Sequence, residues 1–412
     1  MLVRRHDLGR MRVAIVTESF PPDVNGVANS VLRVAEHLVS RGHEPMVIAP
    51  QPALGNTRVP GPLPYPVVRI PSVSLPGYSG FRLGLPGRRI LQALRNHRAD
   101  VVHLASPFVL GAWGSAAAEK LGIPQVAVYQ TDIPGYASAY RMSSGERTAW
   151  WWLRRIHGRA ARTLAPSTST AAELLAHGIG DVWLWRRGVD STLFHPSRRD
   201  VAIRRALAPN GETVVGYVGR LAAEKRVDLL AATAGLRRVK VVVVGDGPAR
   251  AALQRAMPEA VFVGERHGTQ LARLYASLDV FVHTGPLETF CQAIQEALAS
   301  GVPVVAPAAG GPLDLVQPGR TGYLVPPSNG AAIATAVAEL AADPVRRGHF
   351  GRAARASVQA RTWASVGDEL IAHYRAACGV PWPAEISSIG LAGTPAVLPA
   401  DTPAQQRRTS VP

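Results

Sequence analysis

Short apolar runs rich in β-branched residues alternate with longer amphipathic stretches along most of the chain. Residues 13–16, 46–49, 67–70, 101–104, 125–129 and 182–185 read as strands of a first half. Val27, Val31, Val34, Ala35 and Leu38 recur at helical spacing and predict a helix over 27–39. A second half repeats the alternation, with strands expected at 214–218, 239–244, 261–263, 280–282, 302–305 and 322–325. Near-continuous apolar strands separated by helices imply parallel sheets covered on both faces. Two doubly wound α/β domains follow, with a turn-rich and charge-rich crossover at 186–210. No tandem repeat is present.

Composition narrows the class. The 412 residues are 47% hydrophobic, enough for two cores, and no apolar stretch approaches the ~20 residues of a membrane-spanning helix. The only cysteines are Cys291 and Cys378, too few for a disulfide scaffold or a zinc cage. No secretory signal is visible, so the expected location is cytoplasmic. Net charge is +16, divided as +11 over residues 1–200 and +5 over 201–412. A basic first half favours a polyanion, an anionic lipid or a phosphorylated substrate, though a solvated arginine-rich surface is an equal alternative.

Candidate chemistry clusters after strands. The first βα connection, Thr17 to Val27, ends at Gly26, where a helix N-terminus can meet a phosphate. It lacks the G-x-G-x-x-G dinucleotide fingerprint. Arg220 and Lys225 follow the first strand of the second half, where open α/β sheets bind ligands, and suit a diphosphate. Glu288 and Glu296 stand eight residues apart, the first in a loop and the second on a helix. Glu296 can accept from ribose hydroxyls, and Phe290 and Cys291 offer N–H groups at the helix start. Gly301–Val305 and Gly310-Gly311 follow and complete the pattern.

Those motifs give the chain a resemblance. The Glu-x7-Glu pair, Gly219-Arg220-Leu221 with Glu224-Lys225, Val244–Pro248, Gly188-Val189-Asp190 and the loop to Gly26 are similar to retaining glycosyltransferases of family 4. The similarity runs over about residues 11–377. Ala105-Ser106-Pro107 and Tyr129–Tyr136 look most like actinobacterial GDP-mannose-dependent α-mannosyltransferases acting on glycolipids. The resemblance implies a GT-B fold with an acceptor-side domain at 11–195, a nucleotide-sugar domain at 196–362, and a helix at 363–378 returning to the first domain. Residues 1–10 would form a flexible extension and 379–412 a disordered tail. Gly26, Arg220 and Lys225 would hold the diphosphate and Glu296 the ribose. Glu288, Thr289, Phe290 and Cys291 would hold the donor sugar, and Gly264 would border the base. Arg220, Lys225, Glu288 and Asp132 are the candidate catalytic groups. Gln130, Asp132 and Tyr136 would face the sugar or acceptor.

Two departures stand out. Many relatives have His where Gln130 stands, and glutamine cannot carry charge; Asp132 is the candidate replacement. Asn25-Gly26 replaces a frequent Gly-Gly. No Asp-x-Asp motif stands near the site, so the resemblance implies a metal-free reaction with no cofactor beyond the sugar nucleotide. A UDP-sugar donor is the close alternative, and a sugar-nucleotide epimerase on the same fold a more distant one. No nucleic-acid module is visible, so no nucleic-acid partner is expected. The expected partners are GDP-mannose, a glycolipid acceptor and an anionic membrane surface on the inner face of the cell membrane. For the last, residues 147–162 set Arg155, Arg159 and Arg162 on one helical face beside three tryptophans, a pattern that suits headgroups or a core.

Overall fold

The computed structural model describes residues 9–23, 25–53, 61–75, 78–85, 87–132 and 143–380. Tyr136, most of the 1–10 extension and the tail beyond residue 380 lie outside the described residues. The first half contains strands β1 (Arg12–Val16), β2 (Glu44–Pro50) and β3 (Val67–Ile70), a hairpin β4 (Ser72–Leu75) and β5 (Tyr78–Gly84), then β6 (Val101–Leu104), β7 (Gln125–Val128), β8 (Arg162–Ala165) and β9 (Val182–Leu184). Its helices are α1 (Gly26–Ser40), α2 (Arg88–His97), α3 (Val109–Leu121), α4 (Ser143–His157) and α5 (Thr168–Ala176). Apart from the hairpin, these strands form one parallel sheet in the order β3-β2-β1-β6-β7-β8-β9. Val13, Ala14, Ile15 and Val16 are fully buried, as a central strand covered on both faces requires.

The second half contains α6 (Val201–Leu207), β10 (Thr213–Val218), β11 (Val239–Val244), α7 (Arg250–Ala256), β12 (Val261–Gly264), α8 (Gly268–Ser277), β13 (Val280–Val282), α9 (Gln292–Ala299), β14 (Val304–Pro307), α10 (Pro312–Leu315), β15 (Gly322–Val325), α11 (Gly330–Ala342) and α12 (Pro344–Val358). Its parallel order is β12-β11-β10-β13-β14-β15, the doubly wound arrangement. Strand order reverses between β10 and β13, as it does between β1 and β6. Ligands bind at such switch points, beyond the strands' C-terminal ends.

A last helix, α13 (Trp363–Ala377), returns to the first sheet. Leu370, Ile371 and Tyr374 join its core beside Val31, Leu38 and Val126. Asp368 accepts from Arg41 and faces His37 at 2.8 Å, tying α13 to α1. Buried Trp185 donates to the Val366 carbonyl.

The pattern missed β8, and with it misassigned three arginines. Helix α4 ends at His157, and β8 begins at Arg162. Arg155, Arg159 and Arg162 therefore do not share a helical face. Arg155 is on the helix and exposed. Arg159 pairs with Glu119 at 3.1 Å. Arg162 lies 3.8 Å from the Trp183 ring centroid, and its guanidinium stands 3.2 Å from His373 Nδ1. Strand β8 opens on Arg162 and Thr163 and lacks the pair of valines that begins the equally short β3 and β6, so it merges with the preceding amphipathic stretch.

Candidate functional site

Tight backbone crossings shape the second half's contribution. Gly245 follows β11 at φ +136, and a Cβ there would lie 2.0 Å from the Gly219 carbonyl oxygen. The loops after β10 and β11 cross at that point, which leaves no room for a side chain. Gly311 plays the same part deeper in the site: its N–H donates to the Glu288 carbonyl, and a Cβ would meet the Phe290 backbone at 2.2 Å. The Gly-Gly pair thus fixes the path of the loop that carries Glu288.

Glu288 lies in that loop and Glu296 on α9, as the spacing predicts. Lys225 Nζ donates to Glu288 Oε1 at 2.5 Å, and His283 Nε2 stands 3.4 Å from the same oxygen. Burial opposes the Glu288 charge, but Lys225 and His283 win and hold its pKa at about 2. Burial likewise disfavours the His283 cation, and the adjacent Cys291 and Glu288 reverse this, raising it to about 10. The Tyr217 ring stacks on His283 with 12° between planes. Arg220 bonds closely to buried Glu224. Burial pushes the Glu296 carboxyl up to about 8, with Tyr275 acting the other way. Cys291 precedes α9 at φ 76, a left-handed conformation usually taken by glycine. Gly264, at the end of β12, accepts from the Gly245 N–H.

On the first half, Asn25 caps α1. Its Oδ1 accepts from the Val27 and Ala28 N–H groups at 3.0 and 2.9 Å. Two of the helix donors expected to be free for a phosphate, those of Val27 and Ala28, are therefore occupied by the chain itself. Gln130 is buried: Nε2 donates to the Ala105 carbonyl, and Oε1 accepts from Arg187 at 2.9 Å. Asp132 Oδ1 accepts from the Tyr129 hydroxyl at 3.3 Å. Thr289 spans the halves, its hydroxyl 3.5 Å from the Gln130 carbonyl oxygen.

Three groups at the site were not singled out from the sequence. Arg187 donates to both the Gly26 carbonyl and Gln130 Oε1, while Gln295 of α9 holds the Arg187 carbonyl at 2.9 Å. Burial lowers its pKa to about 10, with Glu288 acting the other way, so it remains a cation at neutral pH. Its only sequence signal was its place in the crossover beside Gly188-Val189-Asp190. Glu18 at the end of β1 accepts from the Leu110 N–H at 2.6 Å; burial raises it to about 8 against the α3 N–H groups. His283 follows β13 and meets Glu288, five residues on, where the same loop turns back. Across the boundary between halves, buried Arg186 pairs with Asp314 of α10 at 3.0 Å, and the Thr168 N–H donates to the same carboxylate. The candidate site is therefore a seam between two switch points, with fixed cations facing paired carboxylates.

Comparison with known proteins matches this architecture. The Glycosyltransferase Family 4 model covers residues 24–193, and the Glycosyl transferases group 1 model covers residues 199–357. A GDP-mannose-dependent alpha-mannosyltransferase of Mycobacterium tuberculosis is 52% identical over 374 residues, spanning 90% of this chain and 97% of the relative. One from Corynebacterium glutamicum is 46% identical, spanning 88% of each. Among solved structures, sucrose-phosphate synthase from Thermosynechococcus elongatus superposes with a TM-score of 0.73 at 22% identity, over 89% of this chain and 99% of that one. Two Rossmann-like sheets meeting at their switch points, both family models in sequence and full-length relatives make the chain a member of glycosyltransferase family 4 with the GT-B fold.

Proposed function

We propose that the protein transfers mannose from GDP-mannose to a membrane glycolipid with retention of anomeric configuration. The observation that carries this reading is the near full-length similarity to GDP-mannose-dependent alpha-mannosyltransferases. In this reading Glu296 accepts from the ribose hydroxyls, and Gly264 borders the base. Arg220, Lys225 and Arg187 offset the charge that develops on the diphosphate as the sugar departs. Glu288 and the backbone from Thr289 to Cys291 hold the mannose. The leaving phosphate takes the acceptor proton on the same face, which retains configuration. Fixed cations do the work of charge neutralisation, so turnover survives EDTA.

A glycolipid acceptor is supported by the first half's basic excess and by its exposed apolar groups. Trp113 on α3 is 46% exposed and Trp151 on α4 54%. The two helices pack together, and Arg155 stands near the Trp151 ring. Amphipathic aromatics beside arginine suit the headgroup region. No described helix is long and apolar enough to cross a membrane, so the proposed association is peripheral, at the inner face of the cell membrane.

Incubation with GDP- and UDP-sugars plus a membrane lipid extract, followed by mass spectrometry, tests the reaction. A mannosylated lipid formed from GDP-mannose, with or without EDTA, is the expected product. Transfer from a UDP-sugar alone, an epimerised free nucleotide, or activity lost in EDTA and restored by a divalent ion would overturn the corresponding part. Changing Trp113 and Trp151 together to Ser should weaken co-sedimentation with anionic vesicles by roughly tenfold, leaving GDP binding intact. Equal sedimentation of variant and parent would remove the membrane surface from the proposal.

A further inference from the structure

The loop from β13 to α9 assembles three side chains of different donor chemistry. Ligand atoms of His283, Glu288 and Cys291 all lie within 4.8 Å of one another. His283 is only 3% exposed, and neither ring nitrogen makes a hydrogen bond. Buried imidazoles ordinarily satisfy at least one nitrogen, because an unmatched polar atom away from water is costly. This imidazole instead faces a carboxylate oxygen at 3.4 Å and a thiol. Imidazole nitrogen, thiolate sulfur and carboxylate oxygen are together the donor set of a borderline-soft divalent cation such as zinc.

We propose that His283, Glu288 and Cys291 form a binding site for a zinc-class divalent cation, and that its occupation excludes the donor sugar. The exclusion rests on the proposed mannosyl-transfer reading; the cation site itself does not. Bond lengths of about 2.0–2.3 Å put tetrahedral ligand atoms roughly 3.3–3.8 Å apart, so the three groups need close by only about 1 Å. Lys225 already bonds to Glu288 Oε1, and a carboxylate can serve a lysine and a metal with its two oxygens. As the metal binds, the Cys291 thiol releases its proton to solvent, and the His283 imidazolium releases one as well, so that both ligands bind deprotonated. The fourth position stays open to water. Glu288 and the Cys291 backbone are the groups assigned to the sugar, so a cation held there occupies the sugar's place and draws Glu288 away from it. Zinc would thus act as an inhibitor of an enzyme that needs no metal for turnover.

Zinc and cobalt titrations of the full chain, stripped with EDTA and returned to chelator-free buffer, test the site without any substrate. One bound ion per chain is expected, with a thiolate-to-cobalt absorption band. Cys291→Ser and Cys291→Gly should each weaken binding by at least about tenfold and remove the band. The glycine variant also suits the left-handed backbone, which guards against a folding defect. Cys378→Ser should bind as the parent does. Equal binding by parent and both Cys291 variants, or no binding by the parent, would overturn the site. In a second arm, zinc should lower mannosyl transfer from GDP-mannose, less steeply as the donor is raised, and EDTA should restore it. Zinc bound through Cys291 without effect on an active enzyme would overturn the exclusion. A metal-free parent that binds zinc but transfers no mannose would count against the functional reading and leave the cation site standing.

Discussion

The two sheets bury histidine in opposite states. Around the first sheet, burial lowers the pKa of His43, His103, His157 and His373, to about 3, 4 and 3 for the last three. Their partners are neutral or cationic: His103 meets the Tyr374 hydroxyl, His157 the Thr163 hydroxyl, and His373 the Arg162 guanidinium. In the second half, His283 is equally buried but faces Glu288 and Cys291, and its pKa rises to about 10. Burial by itself always disfavours the cation. Only a neighbour able to carry negative charge reverses the sign. The four imidazoles around the first sheet therefore serve as packing, while His283 is part of a charged site.

The largest test of that contrast is acid. A histidine whose folded pKa lies below its unfolded value near 6.5 stabilises the fold above that pH and loses its contribution as pH falls. For His103, His157 and His373 the loss by pH 5 is about 2 kcal/mol each, or on the order of 6 kcal/mol together. Glu18 and Glu296, raised to about 8, act in the opposite direction over the same range. Chemical denaturation at pH 7, 6 and 5 therefore compares the parent with His103→Gln, His157→Gln and His373→Gln, each of which should remove about 2 kcal/mol of the acid loss. His283 has the opposite sign: its contribution is complete below pH 6.5 and declines as pH rises toward 10. Variants with the same pH dependence as the parent would contradict the neutral state of these imidazoles around the first sheet.

The same contrast extends to carboxylates. Glu288 is ionised and paired, so Glu288→Gln removes a counter-charge from part-buried Lys225 and from buried His283 and should cost about 3–5 kcal/mol in stability, with turnover lost. Glu18, raised to about 8, already carries a proton at pH 7. Glu18→Gln preserves its shape and should cost under about 1 kcal/mol. Similar losses for the two variants in denaturant titrations would erase the distinction.

Gln130 sharpens the comparison at the seam. Because it accepts from the Arg187 cation, Gln130→Ala should cost about 1.5–3 kcal/mol in transition-state binding, more than a neutral hydrogen bond. Asp132→Asn, beside Tyr129, should cost less if Arg187 rather than Asp132 supplies the charge where many relatives have histidine. Measured kcat/KM for the pair decides, and a reversed ranking would restore Asp132 to that role.

The smallest effect at neutral pH concerns Glu296. With its carboxyl raised to about 8, ribose binding to the carboxylate requires loss of a proton. GDP affinity should therefore strengthen up to about tenfold between pH 7 and 9, then level off. Glu296→Gln should flatten this dependence and weaken binding by about 1–3 kcal/mol at pH 9, measured by calorimetry. A parent profile already flat would remove Glu296 from the ribose.

The alternation of apolar strands and amphipathic helices was enough to expose both parallel sheets, because a strand covered on two faces must be apolar at nearly every position. The Glu288/Glu296 spacing and the Gly310-Gly311 pair were legible for a related reason, since loop chemistry and glycine requirements are local. Strand β8 escaped because it opens on Arg162 and Thr163 rather than on apolar residues, and that omission turned Arg159 and Arg162 into apparent helix-face residues. Arg187 meeting Gln130 and Gly26 and Glu18 reaching the start of α3 are contacts between segments far apart in sequence, whereas His283, Glu288 and Cys291 share one loop whose path is fixed by the distant Gly311. Local pattern can say that a residue is ionisable and follows a strand. Its charge state depends on the desolvation and neighbouring charges that only the closed packing of distant loops supplies.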